Sequence, residues 1–142
     1  MKAHLSRRYH FSASHRLHTE AYDSAKNQAV FGKCNNQHGH GHNYTVQVTL
    51  SGQVDPETGM VCNLADLDAF AQTNLIARFD HTNLNTLDCF ANKVSTTENL
   101  SIEIYHIFQA FPAVHLERVH VEETSNNSFD FTGEAAPAPG TF

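Results

Sequence analysis

The 142-residue sequence predicts one α+β domain whose elements follow the order ββααββ. Residues 7–15 and 40–52 alternate apolar with polar side chains, which is the two-residue period of a strand that buries one face. Two segments with helical spacing follow, and two further strand segments, 116–124 and 128–132, end the domain. Strands at both ends with helices between them predict a four-stranded antiparallel sheet covered on one face by two helices.

The first strand is expected to end at His15, which shares the phase of the strand's apolar residues. Residues 17–39 show no clear period and are expected to form a long loop, a feature that is usually functional in a compact domain. The second strand begins at His40 and carries His42 in the same phase as its apolar side chains, which are Tyr44, Val46, Val48 and Leu50.

Each of the two helices has a recognisable start. Asn63 is expected to cap the first helix, because an apolar stripe follows it over residues 64–76. Ser95 and Glu98 have the spacing of a capping box and predict a second helix, which ends before Pro112.

Composition narrows the possible functions. The formal charge is −6 and the nine lysines and arginines form no basic run, so nucleic acid is not an expected partner. No apolar segment has the length of a membrane helix, and the first residues lack the apolar core of a signal peptide. Three cysteines leave one unpaired in any disulfide scheme, which favours a reducing, cytoplasmic setting.

The domain is expected to occupy residues 1–134, with a flexible tail over 135–142.

A cysteine and a run of histidines are the strongest functional signal. Cys34 leads into His38, His40 and His42, and side chains two apart leave the same face of a strand. His15, at the end of the first strand, can join them if the two strands are neighbours. Three imidazoles with an open fourth position predict a zinc site, whereas a single inward histidine is more often structural. Spacing alone leaves open whether His38 belongs to the set.

Two further acidic positions suggest chemistry. Glu123 shares the phase of Val121 on the apolar face of its strand, whereas Glu122 has the solvent-facing phase. A carboxylate on a buried phase must be paired, bound to a ligand or protonated, so Glu123 is the functional candidate and a salt-bridged strand end is the alternative. Asp80 precedes His81 and could orient its imidazole, although such a dipeptide also occurs in ordinary turns.

Together these segments resemble the 6-pyruvoyltetrahydropterin synthase family. The matching segments occur in the family's order and cover nearly the whole chain, except the tail beyond Glu134. They are residues 11–17, 31–36, 39–44, 55–61, 63–67, 79–84, 94–100 and 122–127.

The resemblance implies a role for each candidate residue. One Zn²⁺ ion per subunit would be held by His15, His40 and His42, and His38 would not be a ligand. Cys34 would be the thiol that abstracts a proton, with Asp80 and His81 assisting it as a relay. Glu123 would anchor the pterin ring and belong to the catalytic group. Two further residues would lie near the pterin, namely Thr97 and Glu98.

The resemblance also implies an assembly and a reaction. The family has the tunnelling fold, in which three subunits close a β-barrel, two trimers stack into a homohexamer, and active sites lie between subunits. The substrate would be 7,8-dihydroneopterin triphosphate, which loses triphosphate while its side chain rearranges by internal redox chemistry. The product, 6-pyruvoyltetrahydropterin, belongs to tetrahydrobiopterin biosynthesis. Whether Mg²⁺ accompanies the triphosphate stays open, and its cationic partners are guessed to be Arg16, Lys26 and Lys33.

A second branch of the family is the main alternative. It makes 6-carboxytetrahydropterin and acetaldehyde on the route to queuosine, and its cysteine lies closer to the first histidine of the ligand pair. Residues 35–39 separate Cys34 from His40 here, as in the pyruvoyl branch, although His38 could imitate the shorter spacing. From other classes, a non-catalytic zinc-binding protein would not need Cys34 or Glu123, and a Cys–His hydrolase would not need the zinc ligands.

Overall fold

The computed structural model describes residues 1–133, so the tail expected over 135–142 lies outside the described residues. The strands are β1 (Lys2–His15), β2 (His40–Gln53), β3 (Thr82–Asn83), β4 (His115–Thr124) and β5 (Asn127–Phe131). The helices are α1 (Ser24–Phe31), α2 (Leu64–Ala71), α3 (Ala77–Phe79) and α4 (Thr97–Gln109). A π-helical turn (Gln72–Ile76) joins α2 to α3, and shorter 3₁₀ turns cover Gly32–Asn35, Leu84–Thr86 and Asp88–Phe90.

In the part of the chain that the structure describes, the sheet has the strand order β3-β1-β2-β4-β5 and is open at both ends. Strands β1, β2, β4 and β5 form the expected antiparallel sheet, which confirms the α+β class. The short strand β3 adds a fifth member, parallel to β1, through the pairs Ala13↔Thr82 and Ser14↔Asn83. Two residues are too few to show a strand period, so this addition was not predictable from alternation.

The pairing of β1 with β2 runs without a break from Lys2↔Gln53 to His15↔His40. The expected start of β1 at residue 7 was therefore too late. Residues 2–6 alternate between exposed and partly buried positions, and their long pairing with β2 holds them in the sheet. Along β2 the inward phase is fully buried from Tyr44 to Leu50.

The inner face of the sheet is covered by α4 and by the continuous helical segment from α2 to α3. Buried side chains from both helical segments join the inward side chains of β1, β2 and β4 in one hydrophobic core. Arg7 and Tyr9 of β1 also bond the carboxylate of Asp68 on α2, with N···O and O···O distances of 2.7–3.0 Å. No helix within residues 1–133 is both long enough and apolar enough to cross a membrane.

Two predictions about the connections need correction. The expected loop over 17–39 contains α1, whose first turn is capped by Asp23 and whose buried Asn27 bonds three neighbouring carbonyl oxygens. The cap of α4 is Thr96, whose hydroxyl accepts the Asn99 N–H at 3.2 Å. The predicted capping box from Ser95 to Glu98 is therefore wrong by one residue, and the Ser95 carbonyl is free for another role.

The π-helical turn contributes directly to the core. Leu75 lies in this turn and is fully buried, whereas Leu64 at the start of α2 is 37 % exposed. We expect Leu75→Ala to lower the free energy of unfolding by about 3 kcal/mol, because it removes buried methyl groups and leaves a cavity. The matched Leu64→Ala should change it by less than about 0.5 kcal/mol. Chemical denaturation measures both, and equal effects would contradict the packing described here.

Candidate active site

The candidate metal-binding residues converge at one end of the β1–β2 pair. His15 ends β1 directly opposite His40, the first residue of β2, and His42 follows on the same face. One ring nitrogen from each of the three lies within 4.8 Å of the others. The ring centroids are 4.6–5.1 Å apart, and the Nε2 atoms of His15 and His40 are separated by 3.0 Å. The three histidines therefore form a cluster that could hold a metal ion.

Hydrogen bonding prepares this cluster for a cation. The Nδ1 of His15 lies 2.7 Å from the carbonyl oxygen of Ser95, so we assign the ring proton to Nδ1 and a lone pair to Nε2. Within residues 1–133, His40 Nδ1 and His42 Nε2 are buried and have no hydrogen-bond partner. Three converging imidazoles, two of which have an unpaired ring nitrogen, are a donor set that zinc and similar divalent metals accept. His38 is exposed and lies outside the cluster.

Burial also disfavours protonation of two of the three histidines. The pKa values of His15 and His42 are lowered from the ordinary value of 6.5, chiefly because burial penalises the charged imidazolium. Positive charge on neighbouring imidazoles lowers the pKa values of His15 and His42 further, whereas the Glu123 carboxylate raises them. The neutral imidazole is the form that binds a metal, so burial favours the binding form at neutral pH.

The Glu123 carboxylate borders the cluster. Its Oε1 lies 3.7 Å from His42 Nε2, and its Oε2 accepts a hydrogen bond from the hydroxyl of buried Thr97 at the start of α4. Glu122 has the opposite orientation and contacts His120 on the other face of the sheet. Glu98 follows Thr97 in the first turn of α4 and is exposed. The parity of β4 thus separates the two adjacent glutamates as the alternation predicted.

Asp80 and His81 form a pair against the edge of β1. Asp80 Oδ2 lies 2.9 Å from His81 Nδ1, while Oδ1 accepts the backbone N–H of Ser12. The bond from Ser12, followed by the bond to His81, lowers the pKa of Asp80 below its ordinary value. The His81 side chain is 84 % exposed, and it lines an open cavity of about 460 Å³ together with His42.

Cys34 lies apart from this pair within one chain. It is a half-buried free cysteine in the 3₁₀ turn after α1, and its carbonyl oxygen accepts the N–H of Leu17. Across residues 1–133, no hydrogen bond or ion pair connects Cys34 to Asp80 or His81. Its predicted catalytic role remains a prediction.

The three guessed phosphate-binding cations do not share a location. Arg16 and Lys33 line one cavity of about 530 Å³, while the ammonium of Lys26 lies 4.0 Å from the centre of the Tyr22 ring. The Arg16 Nε also donates to the carbonyl oxygen of Asn35. The structure thus brings together two of the three residues.

Two parts of the site were not found from the sequence. The Ser95 carbonyl orients His15, but a backbone group gives no signal in the sequence. Tyr44 places a buried hydroxyl next to the histidine cluster, and its ring lies 5.7 Å from that of His42. Because Tyr44 lies two residues after His42 in the same phase, alternation alone could have placed its hydroxyl beside the histidines.

Removing one histidine tests the cluster. We expect His40→Ala to lose most of the bound zinc, because two imidazoles remain where three converge. His38→Ala is the matched control and should retain zinc. Metal content after gel filtration measures both, and full retention by His40→Ala would contradict the assignment.

The lowered histidine pKa values predict a pH dependence for the metal-free protein. The unfolded chain protonates His15 and His42 near 6.5, whereas the folded chain does so at a lower pH. Stability is therefore complete above the unfolded value and is lost as pH falls through the folded values. Denaturation midpoints between about pH 8 and 5 should decline below about pH 6.5. The double variant His15→Gln/His42→Gln should show a flatter decline, and an unchanged slope would exclude these groups as the cause.

Comparison with known proteins places this arrangement in a family. The family described as 6-pyruvoyl tetrahydropterin synthase matches residues 4–134. The 6-pyruvoyl tetrahydrobiopterin synthases of Homo sapiens and Drosophila melanogaster are 47 % and 46 % identical, over 94 % and 92 % of this chain and 93 % and 80 % of their own lengths. The structure of Caenorhabditis elegans 6-pyruvoyl tetrahydropterin synthase superposes with a TM-score of 0.89 at 40 % identity, covering 94 % of this chain and 97 % of that one. The chain belongs to the 6-pyruvoyl tetrahydropterin synthase family of enzymes.

Proposed function

We propose that this protein is a zinc-dependent lyase that converts 7,8-dihydroneopterin triphosphate into 6-pyruvoyltetrahydropterin with loss of triphosphate. The observation that carries the proposal is the juxtaposition of two different binding groups. The three-histidine cluster and the Glu123 carboxylate lie side by side, with 3.7 Å between His42 Nε2 and Glu123 Oε1. A cation site beside a half-buried carboxylate suits a substrate that carries both hydroxyl oxygens and ring N–H groups.

The chain's residues divide the work of binding. His15, His40 and His42 would hold the zinc ion, which when bound supplies Lewis-acid stabilisation of charge on the substrate's side-chain oxygens. Glu123 can accept two hydrogen bonds from the N–H groups of the pterin, and a charged acceptor makes these bonds stronger than a neutral one. Thr97 supports this role by donating to the same carboxylate.

Proton transfer is assigned to Cys34 with Asp80 and His81. The thiolate of Cys34 would take the carbon-bound proton of the substrate side chain, and the released electron pair would remain within the substrate. Asp80 holds His81 by its Nδ1, which leaves the other ring nitrogen free to exchange a proton. Triphosphate is the leaving group and the remaining change is an internal redox rearrangement, so no external reductant takes part. Because Cys34 must be a free thiol in this role, we propose the cytoplasm, where thiols stay reduced.

The proposal includes assembly into trimers and pairs of trimers with active sites between subunits. Among residues 1–133, the ladder partners of residues 2–11 of β1 all lie in β2, and β5 forms the other edge of the sheet. Free edges of this kind can pair with those of another chain and extend the sheet. His81 is 84 % exposed, and within residues 1–133 no hydrogen bond joins it to Cys34; both observations are consistent with a site completed by a second subunit.

The same site could serve the 6-carboxytetrahydropterin branch of queuosine biosynthesis. The spacing of Cys34 from His40 and the names of the relatives favour the pyruvoyl product. A non-catalytic zinc-binding protein is less well supported, because the hydrogen-bonded pair of Thr97 and Glu123 would have no use in metal storage.

Product analysis is the direct test. Purified zinc-loaded protein is incubated anaerobically with 7,8-dihydroneopterin triphosphate and no reductant, with and without Mg²⁺, and the products are identified by mass spectrometry. 6-Pyruvoyltetrahydropterin and triphosphate would support the proposal. 6-Carboxytetrahydropterin and acetaldehyde would support the other branch, and the absence of any turnover would contradict both.

The role of Cys34 has a simple test. Cys34→Ala should fold and bind zinc like the parent yet lower kcat by about 10²-fold or more, because only the base is removed. Cys89→Ala is the control, since Cys89 has no proposed role and should leave kcat nearly unchanged. Near-parental activity of Cys34→Ala would show that another group is the base.

The two adjacent glutamates give a matched comparison. Glu123→Gln should raise KM for the pterin by about 10- to 100-fold, because it weakens hydrogen bonds to a charged acceptor. Glu122→Gln changes the opposite face of β4 and should alter KM by less than about twofold. Steady-state kinetics measures both, and equal effects would refute the assignment by strand parity.

A further inference from the structure

Tyr44 is a buried polar residue to which the proposed mechanism gives no role. Its side chain is 1 % exposed, and its hydroxyl has no hydrogen-bond partner within residues 1–133. The ring packs against Phe11 at 5.1 Å and lies edge-on to His42 at 5.7 Å. A phenylalanine would make the same ring contacts without burying an unpaired O–H group. An unsatisfied hydroxyl in a native core therefore requires an explanation.

The sheet register identifies the neighbours of this hydroxyl. Strands β2 and β4 pair through Thr45↔Glu122, so one step further along the same register sets Tyr44 opposite Glu123 on the inward face. Glu123 Oε2 accepts the Thr97 hydroxyl, and Glu123 Oε1 lies 3.7 Å from His42 Nε2. The His42 ring in turn lies 5.7 Å from the Tyr44 ring. Tyr44 thus lies beside the pair formed by Thr97 and Glu123.

The donors and acceptors of these three residues complement one another. Thr97 commits its only hydroxyl proton to Glu123 Oε2, and its oxygen keeps lone pairs that can accept. Among the described residues, the hydroxyl proton of Tyr44 has no acceptor. A bond from Tyr44 to Thr97 would satisfy both groups and complete a chain that ends at the carboxylate.

We propose that Tyr44 is a positioning residue whose hydroxyl donates to Thr97 Oγ1 in the metal-loaded protein, and that the chain Tyr44–Thr97–Glu123 orients the carboxylate for its ligand. Consecutive hydrogen bonds polarise one another, so the first bond strengthens the second. Tyr44 touches neither substrate nor metal in this arrangement and acts only through Thr97. The inference rests on the proposed role of Glu123 as the pterin-binding carboxylate.

The kinetics of matched variants test the hydrogen-bond chain Tyr44–Thr97–Glu123. Tyr44→Phe should raise KM for 7,8-dihydroneopterin triphosphate by about fivefold, the value of one neutral hydrogen bond, with kcat changed by less than about twofold. Tyr9→Phe is the control, because it removes a hydroxyl that bonds Asp68 on the other side of the core. It should leave KM unchanged. Unchanged KM in Tyr44→Phe would overturn the proposal.

The hydrogen-bond chain also predicts that the effects of Tyr44 and Thr97 substitutions on KM are not additive. If Tyr44 acts through Thr97, Tyr44→Phe should have no effect in a Thr97→Val background, so that the double variant equals Thr97→Val alone. Thr97→Ser keeps the hydroxyl and should restore the sensitivity to Tyr44→Phe. Multiplicative effects of the two substitutions on KM would mean that Tyr44 has a separate, structural role and would overturn the proposal.

A readout without substrate separates this inference from the proposed function. In zinc-loaded protein labelled with ¹³C at tyrosine Cζ, the Tyr44 signal is assigned through Tyr44→Phe. It should shift in Thr97→Val but not in Thr97→Ser or in the control Thr73→Val. An unchanged Tyr44 signal in Thr97→Val would overturn the proposed bond from Tyr44 to Thr97, whatever the substrate is. If the shift is present but the wild-type protein does not bind the pterin, the proposed function fails and the orienting role for that ligand fails with it.

Discussion

The register between β1 and β2 is the constraint on which the rest of the structure depends. Side chains of a strand alternate between faces, so a slip of one residue would move every inward side chain of either strand to the outer face. The observed register sets Tyr9 opposite Val46, Phe11 opposite Tyr44 and His15 opposite His40. One pairing therefore builds the hydrophobic core and the histidine cluster together. A sequence that packs this core correctly has already aligned two candidate metal ligands.

The inward face of the sheet changes its chemistry along its length. Val46 and Val48 are fully buried among apolar neighbours, whereas the end of the sheet beyond Tyr44 carries histidines and Glu123. Polar atoms without partners at this end make folding less favourable, and the apolar part of the same strands compensates for them. Because the site is built on paired strands and the first turn of α4, its side chains are held with little freedom. Placing polar side chains on the rigid inward face thus both lowers the stability of the fold and fixes the geometry of the site.

The sequence predicted what depends on periodicity and missed what depends on tertiary contacts. Alternation placed His15, His40 and His42 on the inward face but left His38 open, and only the family resemblance excluded it. Alternation also separated Glu123 from Glu122, since that follows from a two-residue period next to apolar side chains. Helix α1 was missed because it has no apolar stripe and is held by the hydrogen bonds of Asn27. The other misses were β3, the π-helical turn and the shifted cap of α4. Strand β3 depends on its pairing with β1, and the π-helical turn depends on packing. The cap of α4 depends on which of two neighbouring hydroxyls bonds the helix.

The edge of β1 links the architecture of one chain to the proposed interface. Asp80 accepts the N–H of Ser12 and His81 donates its own N–H to the Ser12 carbonyl, so this part of the edge is closed by the chain itself. Within the described residues 1–133, no strand pairs with the preceding residues 2–11 on that side. The exposed imidazole of His81 thus stands where the closed part of the edge meets the open part. A strand added along the open part would end near His81, so the pairing that extends the sheet would also bring a second chain to this side chain. Assembly and completion of the catalytic group would then have one structural cause.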